Sequence, residues 1–225
     1  MLLLALDTAT SAITVAVHDG LSVVAEEAVI DPRRHTEALA PAVQRVLRRA
    51  DAAPDLVTHV AVGTGPGPFT GLRVGLVTAT TMGHALGIPV HGVCSLDALA
   101  HQVARGRDGE FLVATDARRK EVYWAGYRAE GGAATRVGEP AVVIPAALAA
   151  DLRHRPTAGR GPLLYPDLFP DPIAPQDVSA GSLAEVAVAE LARGPAVAPT
   201  PRYLRRPDAQ APGAPKTTLA TGASR

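Results

Sequence analysis

The chain has 225 residues, 47% of them hydrophobic, and its 22 Lys and Arg residues balance 22 Asp and Glu residues. A chain of this length buries one large core or two small ones, and its zero formal charge excludes binding to nucleic acid or anionic lipid through long-range charge alone. A single cysteine, Cys94, excludes an internal disulfide framework and fits a reducing compartment.

The first predicted element is the apolar run over residues 2–6, which indicates a central strand buried on both faces. Asp7 and Thr8 follow it at once, so the run is too short for the hydrophobic region of a secretory signal, and no basic segment precedes it. No other run approaches the roughly 18 apolar residues that a membrane span needs. We therefore expect a cytoplasmic protein that does not associate with a membrane.

The next elements complete a first lobe. Alternating apolar residues over 13–17 and a turn at Asp19-Gly20 predict a meander of three strands. Later patterns predict a helix over residues 36–50, a strand over 57–62, a helix over 71–86, a strand over 88–93 and a helix over 96–105 that Ser95 caps. The order β-β-β-α-β-α-β-α predicts a mixed five-stranded sheet with helices on its faces.

A shortened copy of this order predicts a second lobe. Its elements are a hairpin of strands over 110–115 and 121–127, a third strand near 141–144, and a helix that Ser182 and Glu185 open as a capping box. We predict an α/β fold of two lobes, each a mixed sheet flanked by helices, with residues 1–105 in the first and 106–205 in a reduced second. Residues 206–225, rich in Ala, Pro, Gly and Thr, are predicted to be a disordered tail.

The stretch GTGPGPFTGLRVG over residues 63–75 lies between a predicted strand and a predicted helix. Glycines allow backbone N–H groups to approach an anion, and a helix N-terminus adds partial positive charge. With the turn after the first strand, the stretch predicts part of a nucleotide or anion site, formed by Asp7, Thr8, Thr10, Gly65, Gly67 and Thr70. It lacks the P-loop and dinucleotide-binding patterns, so a tight turn with close helix packing is the alternative.

Six motifs carry a resemblance to a known family, and they span nearly the whole chain up to about Arg206. In chain order they are DTAT, HTEALAP, GTGPGPFTGLRVG, ALGIPVHGVCSLDALA, TDARRKEVYWAGY and PRYLR. Together they resemble the TsaB, or YeaZ-like, family of bacterial tRNA threonylcarbamoyladenosine biosynthesis proteins, which is glycoprotease-like. The resemblance implies an actin-like ATPase fold of two ribonuclease H-like lobes.

The resemblance also implies a non-catalytic role. In this family's system the paralogue TsaD transfers a threonylcarbamoyl group from threonylcarbamoyl-AMP to adenosine 37 of tRNAs that read codons beginning with A. The resemblance implies that this chain is the scaffold and activator that forms a heterodimer with TsaD, and that the ATPase TsaE joins the larger complex. It further implies that this chain requires no cofactor, that ATP or ADP and a metal belong to the partner subunits, and that tRNA binds only within the complex.

The residues at the family's metal position agree with this role. Catalytic paralogues carry HMEGH after the strand that follows the glycine-loop helix, and the equivalent stretch here is SLDAL, with Ser95 and Leu99 at the histidine positions. Because an apolar Leu99 does not ligate a cation, we predict neither catalytic residues nor a metal site. Asp7 at a strand end is typical either of magnesium binding or of a turn, and the turn is favoured. Cys94 beside His91 indicates a buried structural cysteine rather than a nucleophile.

The partner interface is predicted on the first two helices, because in the family these pack against the matching pair of TsaD. The predicted residues are Leu39, Val43, Val74, Gly75, Val77, Thr78, Ala79, Met82 and Gly83. Gly75, Ala79 and Gly83 are four apart and predict a flat strip that another helix approaches closely, although part of it must pack on its own sheet. The same surface is predicted to form a homodimer when the partner is absent.

Two other functions stay open at this stage. One is an autonomous ATP-dependent phosphotransferase or glycoprotease-like hydrolase, and the other is direct recognition of tRNA. Two short basic clusters, residues 118–120 and the arginines at 202, 205 and 206, indicate either solvated loops or contacts to tRNA phosphates within the complex.

Overall fold

The structure is a computed structural model that describes residues 1–31 and 34–205. The first sheet has five strands in the order β3-β2-β1-β4-β5. They are β1 (Leu3–Asp7), β2 (Ala12–His18), β3 (Val23–Ile30), β4 (His59–Gly63) and β5 (Val90–Val93). The first three strands are antiparallel, and β4 and β5 run parallel to β1. The predicted disordered tail, residues 206–225, lies outside the described residues.

Two long helices cover one face of this sheet, α1 (His35–Arg49) and α2 (Phe69–Leu86). Their inward residues, including Leu39, Val46 and Leu72, form a core with Leu4 and Leu6 of β1. Gly87, with φ of +64°, ends α2 in the left-handed conformation that favours glycine. Helix α2 begins two residues before the predicted start, so the last residues of the glycine-rich stretch already belong to the helix.

The second sheet has four strands in the order β8-β7-β6-β9, of which only β9 pairs in parallel. They are β6 (Gly109–Asp116), β7 (Val122–Glu130), β8 (Ala133–Val143) and the short β9 (Thr157–Ala158). Two single-turn helices, α4 (Ala150–Arg153) and α5 (Gly161–Leu164), lie in the connections around β9. The predicted α/β fold of two lobes with mixed sheets is confirmed, and the second sheet is the smaller one.

The two remaining helices are exchanged between the lobes. Helix α3 (Ser95–Ala104) follows the first sheet in sequence but packs on the second, whereas α6 (Ala180–Leu191) packs on the first sheet. The two helices also contact each other, and the core they share joins Leu3 and Leu183 to Phe111 and Leu99. The predicted boundary at residue 105 stays a prediction, but the lobes are not independent, because each sheet is covered by a helix from the other half of the chain.

Polar contacts fix α3 on the second sheet. The Tyr127 hydroxyl donates to Oδ1 of Asp97 at 2.7 Å, and the Arg136 guanidinium donates to both carboxylate oxygens of Asp97 at 2.8 and 2.7 Å. Burial, with the neighbouring Asp97 charge, raises the pKa of Tyr127 well above its ordinary value. The tyrosine therefore stays a hydrogen-bond donor across the physiological pH range.

Two predicted helix caps are wrong. Cys94 occupies the cap position of α3, and Ser95 is the first helical residue. Helix α6 begins at Ala180, and its cap is Ser179, whose hydroxyl accepts a hydrogen bond from the N–H of Ser182 at 3.1 Å. In both helices the serine that the sequence pattern indicated is one or more residues too late, because serines near the start of a helix are hard to rank from sequence alone.

Candidate functional site between the lobes

The carboxyl ends of β1 and β4 bring the turn after Asp7 against the glycine-rich loop. Asp7 is fully buried; its Oδ1 accepts from the N–H of Ala9 at 2.8 Å, and its Oδ2 accepts from the Ser95 hydroxyl at 2.5 Å. The same hydroxyl accepts from the N–H of Gly65 at 3.1 Å. Ser95 therefore connects the start of α3 to the strand-end turn and the loop, in a position where the family's catalytic paralogues are expected to carry a metal-binding histidine.

Burial determines the ionisation of this carboxyl. It raises the pKa of Asp7 above its ordinary value, and the hydrogen bonds from Ser95 and from the N–H of Ala9 oppose that shift. Both oxygens of Asp7 are engaged by donors of the same chain, as a turn-forming aspartate requires. Across residues 1–31 and 34–205, no three His, Cys, Asp or Glu side chains come together in a way that would hold a metal ion.

The glycines of the loop make room for the chain itself. A Cβ at Gly63 would overlap Oδ2 of Asp7, and a Cβ at Gly67 would overlap the backbone of Ala9. At Gly75 it would lie 2.5 Å from the Thr8 hydroxyl oxygen. These positions are glycine because the loop and α2 approach the strand-end turn too closely for any side chain.

The six residues of the predicted anion site divide into two groups. Asp7, Gly65 and Gly67 are buried in the contact between turn and loop. Thr8, Thr10 and Thr70 line a cavity of about 210 Å³ together with His35, Thr36, Pro68, Phe69, Gly71 and Arg118. Thr8 is already bonded, since its hydroxyl donates to the carbonyl of Gly71 at 2.7 Å and accepts from the N–H of Gly75 at 3.0 Å. The cavity is polar, with hydroxyls and one guanidinium on its walls.

Leu99, Cys94 and His91, at or close to the start of α3, are all buried. Leu99 has no exposed surface and belongs to the core between the lobes. Burial raises the pKa of the neighbouring Cys94 thiol to about 11, so the group is a thiol rather than a thiolate at neutral pH. His91 is buried as well, with Nε2 2.6 Å from Oε2 of Glu190 and Nδ1 accepting from the N–H of Val197 at 3.0 Å. Cys94 and His91 therefore do not form a nucleophile with an adjacent base.

Removing the Ser95 hydroxyl is expected to destabilise the protein in a pH-dependent way. Ser95→Ala leaves Oδ2 of Asp7 and the N–H of Gly65 without their partner, at a cost of about 2 kcal/mol at pH 7. The hydroxyl stabilises the ionised carboxylate, so its loss raises the folded-state pKa of Asp7 further. The part of the cost that comes from the carboxylate is present at pH 7 and is lost as the pH falls through the folded-state pKa of Asp7, which lies above its ordinary value, whereas the part from the N–H of Gly65 does not depend on pH.

Urea unfolding at pH 7 and at pH 4 measures this effect. Ser22→Ala is the matched control, because Ser22 is exposed in the turn between β2 and β3. An equal loss of stability at both pH values for Ser95→Ala would contradict the assigned bond to Asp7.

The predicted interface residues fall into an exposed group and a buried group. Val77 is 62% exposed, and Val74, Thr78 and Met82 are partly exposed, so these four remain candidates. A groove of about 420 Å³ runs beside three of them and is bounded at its other end by Phe69 and Arg73.

Five other predicted interface residues face this chain's own sheet, so their assignment to an accessible interface is wrong. They are Leu39, Val43, Gly75, Ala79 and Gly83, all buried. A Cβ at Gly83 would overlap the Val90 side chain of β5. The small-residue strip of α2 therefore allows the helix to approach its own sheet rather than another helix.

Sequence reasoning missed one cluster at the start of α2. The Phe69 and Tyr203 rings lie 5.4 Å apart, and the Arg73 guanidinium carbon lies 3.7 Å from the centre of the Phe69 ring. Nε of Arg73 donates to the Tyr203 hydroxyl at 3.1 Å. Phe69 and Arg73 are separated from Tyr203 by more than 100 positions, and the only sequence signal was the presence of both segments among the motifs.

No helix within the described part of the chain has the length and apolarity that crossing a bilayer requires.

The chain is similar to known proteins in both sequence and structure. A family model described as TsaD, tRNA N6-adenosine threonylcarbamoyltransferase, matches residues 22–191. The solved structure of YeaZ from Pseudomonas aeruginosa is similar with a TM-score of 0.78 and 32% identity, covering 90% of this chain and 99% of that one.

Two curated relatives match over part of their length. An uncharacterized protein of Mycobacterium leprae is 44% identical over 219 residues, which are 93% of this chain and 56% of that protein. The tRNA threonylcarbamoyladenosine biosynthesis protein TsaB of Bacillus subtilis is 35% identical over 134 residues, which are 59% of this chain and 57% of TsaB. The matches therefore span little more than half the length of either relative.

Proposed function

This chain is a TsaB/YeaZ-like member of the TsaD family, and we propose that it acts in tRNA threonylcarbamoyladenosine biosynthesis as a non-catalytic scaffold and activator subunit. In this proposal a TsaD partner transfers the threonylcarbamoyl group from threonylcarbamoyl-AMP to adenosine 37 of tRNAs that read codons beginning with A. TsaE joins the larger complex, and ATP or ADP and the metal belong to the partner subunits.

The environment of residues 95–99 is the observation that carries the non-catalytic role. A metal-binding pair would need two ligating side chains one helical turn apart. Here Ser95 is engaged by Asp7 and by the N–H of Gly65, and Leu99 is fully buried among apolar side chains. Restoring a ligand at either position would require breaking the contact between the turn and the glycine-rich loop, or opening the core between the lobes.

The outer face of α1 and α2 supports the heterodimer in the proposal. Val77, with Val74, Thr78 and Met82 near it on α2, offers apolar surface beside a groove. Aliphatic groups of this kind stabilise an interface by roughly 1 to 3 kcal/mol each when they become buried. A second copy of the chain would use the same face when the partner is absent, as a homodimer.

Leaving this chain out of a reconstituted reaction tests the activator role. TsaD, TsaE, the synthase that makes threonylcarbamoyl-AMP, ATP, threonine, bicarbonate and tRNA would be combined with and without it, and threonylcarbamoyladenosine in the tRNA measured by mass spectrometry after digestion. Product is expected to fall by at least about tenfold without the chain, the scale of coupling between sites on partner proteins, and to return when it is added back.

Unchanged product in its absence would refute the activator role. Metal-dependent hydrolysis or phosphoryl transfer by the isolated chain would instead refute the non-catalytic role. Both assays use the full-length chain; the mixture without it supplies the background of the first, and buffer without protein supplies the background of the second.

A further inference from the structure

The two basic clusters, distant in sequence, are neighbours in the structure. The turn between β6 and β7 carries Arg118, Arg119 and Lys120, and it is closed by a hydrogen bond from the N–H of Glu121 to the carbonyl of Arg118 at 3.0 Å. Glu121 forms an ion pair with Arg205, near the end of the described chain. The segment before Arg205 is held on the first lobe, since the N–H of Arg202 donates to the carbonyl of Thr64 at 2.8 Å.

An aromatic pair lies next to these cations. Tyr203 stands between Arg202 and Arg205 in sequence, is 43% exposed, and lies beside Phe69, which is 48% exposed. Phe69 also lines the polar cavity that Arg118 borders from the second lobe. Basic groups from both lobes and two exposed rings therefore surround one mouth of the cleft, and we call these residues the basic–aromatic surface.

The charge of this surface differs from that of the whole chain. Its six cationic residues are Arg73, Arg118, Arg119, Lys120, Arg202 and Arg205. Within the described residues, Arg118 pairs with Asp116 and Arg205 pairs with Glu121. The chain as a whole has a formal charge of zero, and these cationic side chains are concentrated where the two lobes meet.

The backbone of the basic turn is unusual. Arg118, Arg119 and Lys120 have φ values of 61°, 54° and 63°, a left-handed conformation in three successive residues that carry a Cβ. Glycine or asparagine adopts this conformation at lower cost. All three side chains are exposed, so burial in the core does not account for the residue types. Strain of this kind at an exposed position is a reason to look for a ligand.

We propose that the basic–aromatic surface binds a single-stranded loop of RNA inside the assembled complex, a proposal that rests on the function proposed above. Guanidinium and ammonium groups bind phosphates, and exposed aromatic rings stack with unpaired bases. Arg118, Lys120 and Arg202 contact the RNA backbone, and Tyr203 with Phe69 provides the platform for a base. A protein partner is the competing occupant, and the experiment separates the two.

The test removes charge without disturbing the turn. Arg118→Asn with Lys120→Asn keeps residue types that tolerate positive φ, and Arg128→Gln with Arg193→Gln removes the same charge at exposed positions of β7 and after α6. Each pair is assayed in the complete transferase mixture with saturating TsaD, and the KM for tRNA and kcat are determined at several salt concentrations.

The basic-turn pair is expected to raise the KM for tRNA about tenfold with kcat nearly unchanged, and to lower the slope of log KM against log salt by about 1 to 2. The control pair is expected to leave both as in the unmodified chain. Tyr203→Ala should raise the KM while Tyr203→Phe, which retains the ring but loses the bond from Arg73, should not.

Size-exclusion chromatography of each variant with TsaD separates this proposal from the preceding one. An unchanged KM and salt slope, with the heterodimer intact, would overturn RNA binding here and leave the activator role standing. Loss of the heterodimer by the basic-turn pair, with the KM restored at saturating TsaD, would assign the surface to the protein partner and also overturn RNA binding. Failure of the activator role is seen separately, in the mixture that omits the chain.

Discussion

Replacing Gly63 with alanine is expected to lower the free energy of unfolding severely. The added Cβ would overlap Oδ2 of Asp7 and lie 2.7 Å from the Ser95 hydroxyl oxygen. Asp7 is fully buried and bonded on both oxygens, so it cannot move aside without losing the N–H of Ala9 or the Ser95 hydroxyl. Overpacking combined with a broken buried polar contact costs about 4 kcal/mol or more, a large fraction of the roughly 5 to 15 kcal/mol that stabilises an ordinary domain.

Thermal and urea unfolding followed by circular dichroism measure this loss. Gly194→Ala is the matched control, because a Cβ there meets no atom within 4 Å and the backbone is not in the left-handed region. The control should stay within about 0.5 kcal/mol of the unmodified chain. A Gly63→Ala protein that unfolds at the same urea concentration as the control would show that the turn and the loop are not in the contact described.

The glycine-rich stretch also illustrates where sequence reasoning ends. Its composition correctly indicated a backbone that something approaches closely, but composition does not identify the approaching group. That group is the turn after β1, more than 50 residues earlier, with Asp7 against Gly63 and Ala9 against Gly67. The anion site remains a prediction, carried now by Thr10 and Thr70 on the cavity wall rather than by the glycines.

Periodicity predicted the elements better than their partners. Alternation and helical spacing gave the first sheet, the hairpin of β6 and β7 and the long helices, because these patterns report which face of an element is apolar. They placed the third strand of the second sheet near 141–144, although β8 spans Ala133–Val143, and they did not indicate β9. They do not report which sheet that face meets, so the exchange of α3 and α6 between the lobes was not predictable from local order. The same limit explains why the small-residue strip of α2 was wrongly assigned to the partner interface. Gly75 and Gly83 contact side chains at the end of β1 and on β5 rather than another helix.

The sequence indicated the two basic clusters as possible contacts to tRNA phosphates, but it did not place them together or beside the aromatic pair. The two cationic segments are joined by the ion pair between Glu121 and Arg205, which are 84 positions apart in the chain. Each segment alone is typical of a solvated loop. Only the fold places both beside exposed aromatic rings.

Introducing a charge at Val77 is expected to weaken the heterodimer with TsaD strongly and leave the fold intact. Val77 is 62% exposed on the outer face of α2, so Val77→Asp places the carboxylate in water in the isolated chain. In the proposed complex the same carboxylate would be buried against apolar helix surface without a partner, which costs several kcal/mol. The dissociation constant is expected to rise at least about 100-fold, which corresponds to roughly 2.7 kcal/mol.

Concentration separates this effect from misfolding. Isothermal titration of TsaD into Val77→Asp gives the affinity, and threonylcarbamoyladenosine formation is followed as the variant is raised from nanomolar to tens of micromolar. Because the defect is in association, product should be lost at low concentration and recover by mass action at high concentration. Leu21→Asp, at a 93% exposed position in the turn between β2 and β3, adds the same charge and should bind normally. Equal affinity of Val77→Asp and Leu21→Asp for TsaD would exclude the outer face of α2 as the interface, since a buried carboxylate without a partner cannot be neutral in free energy.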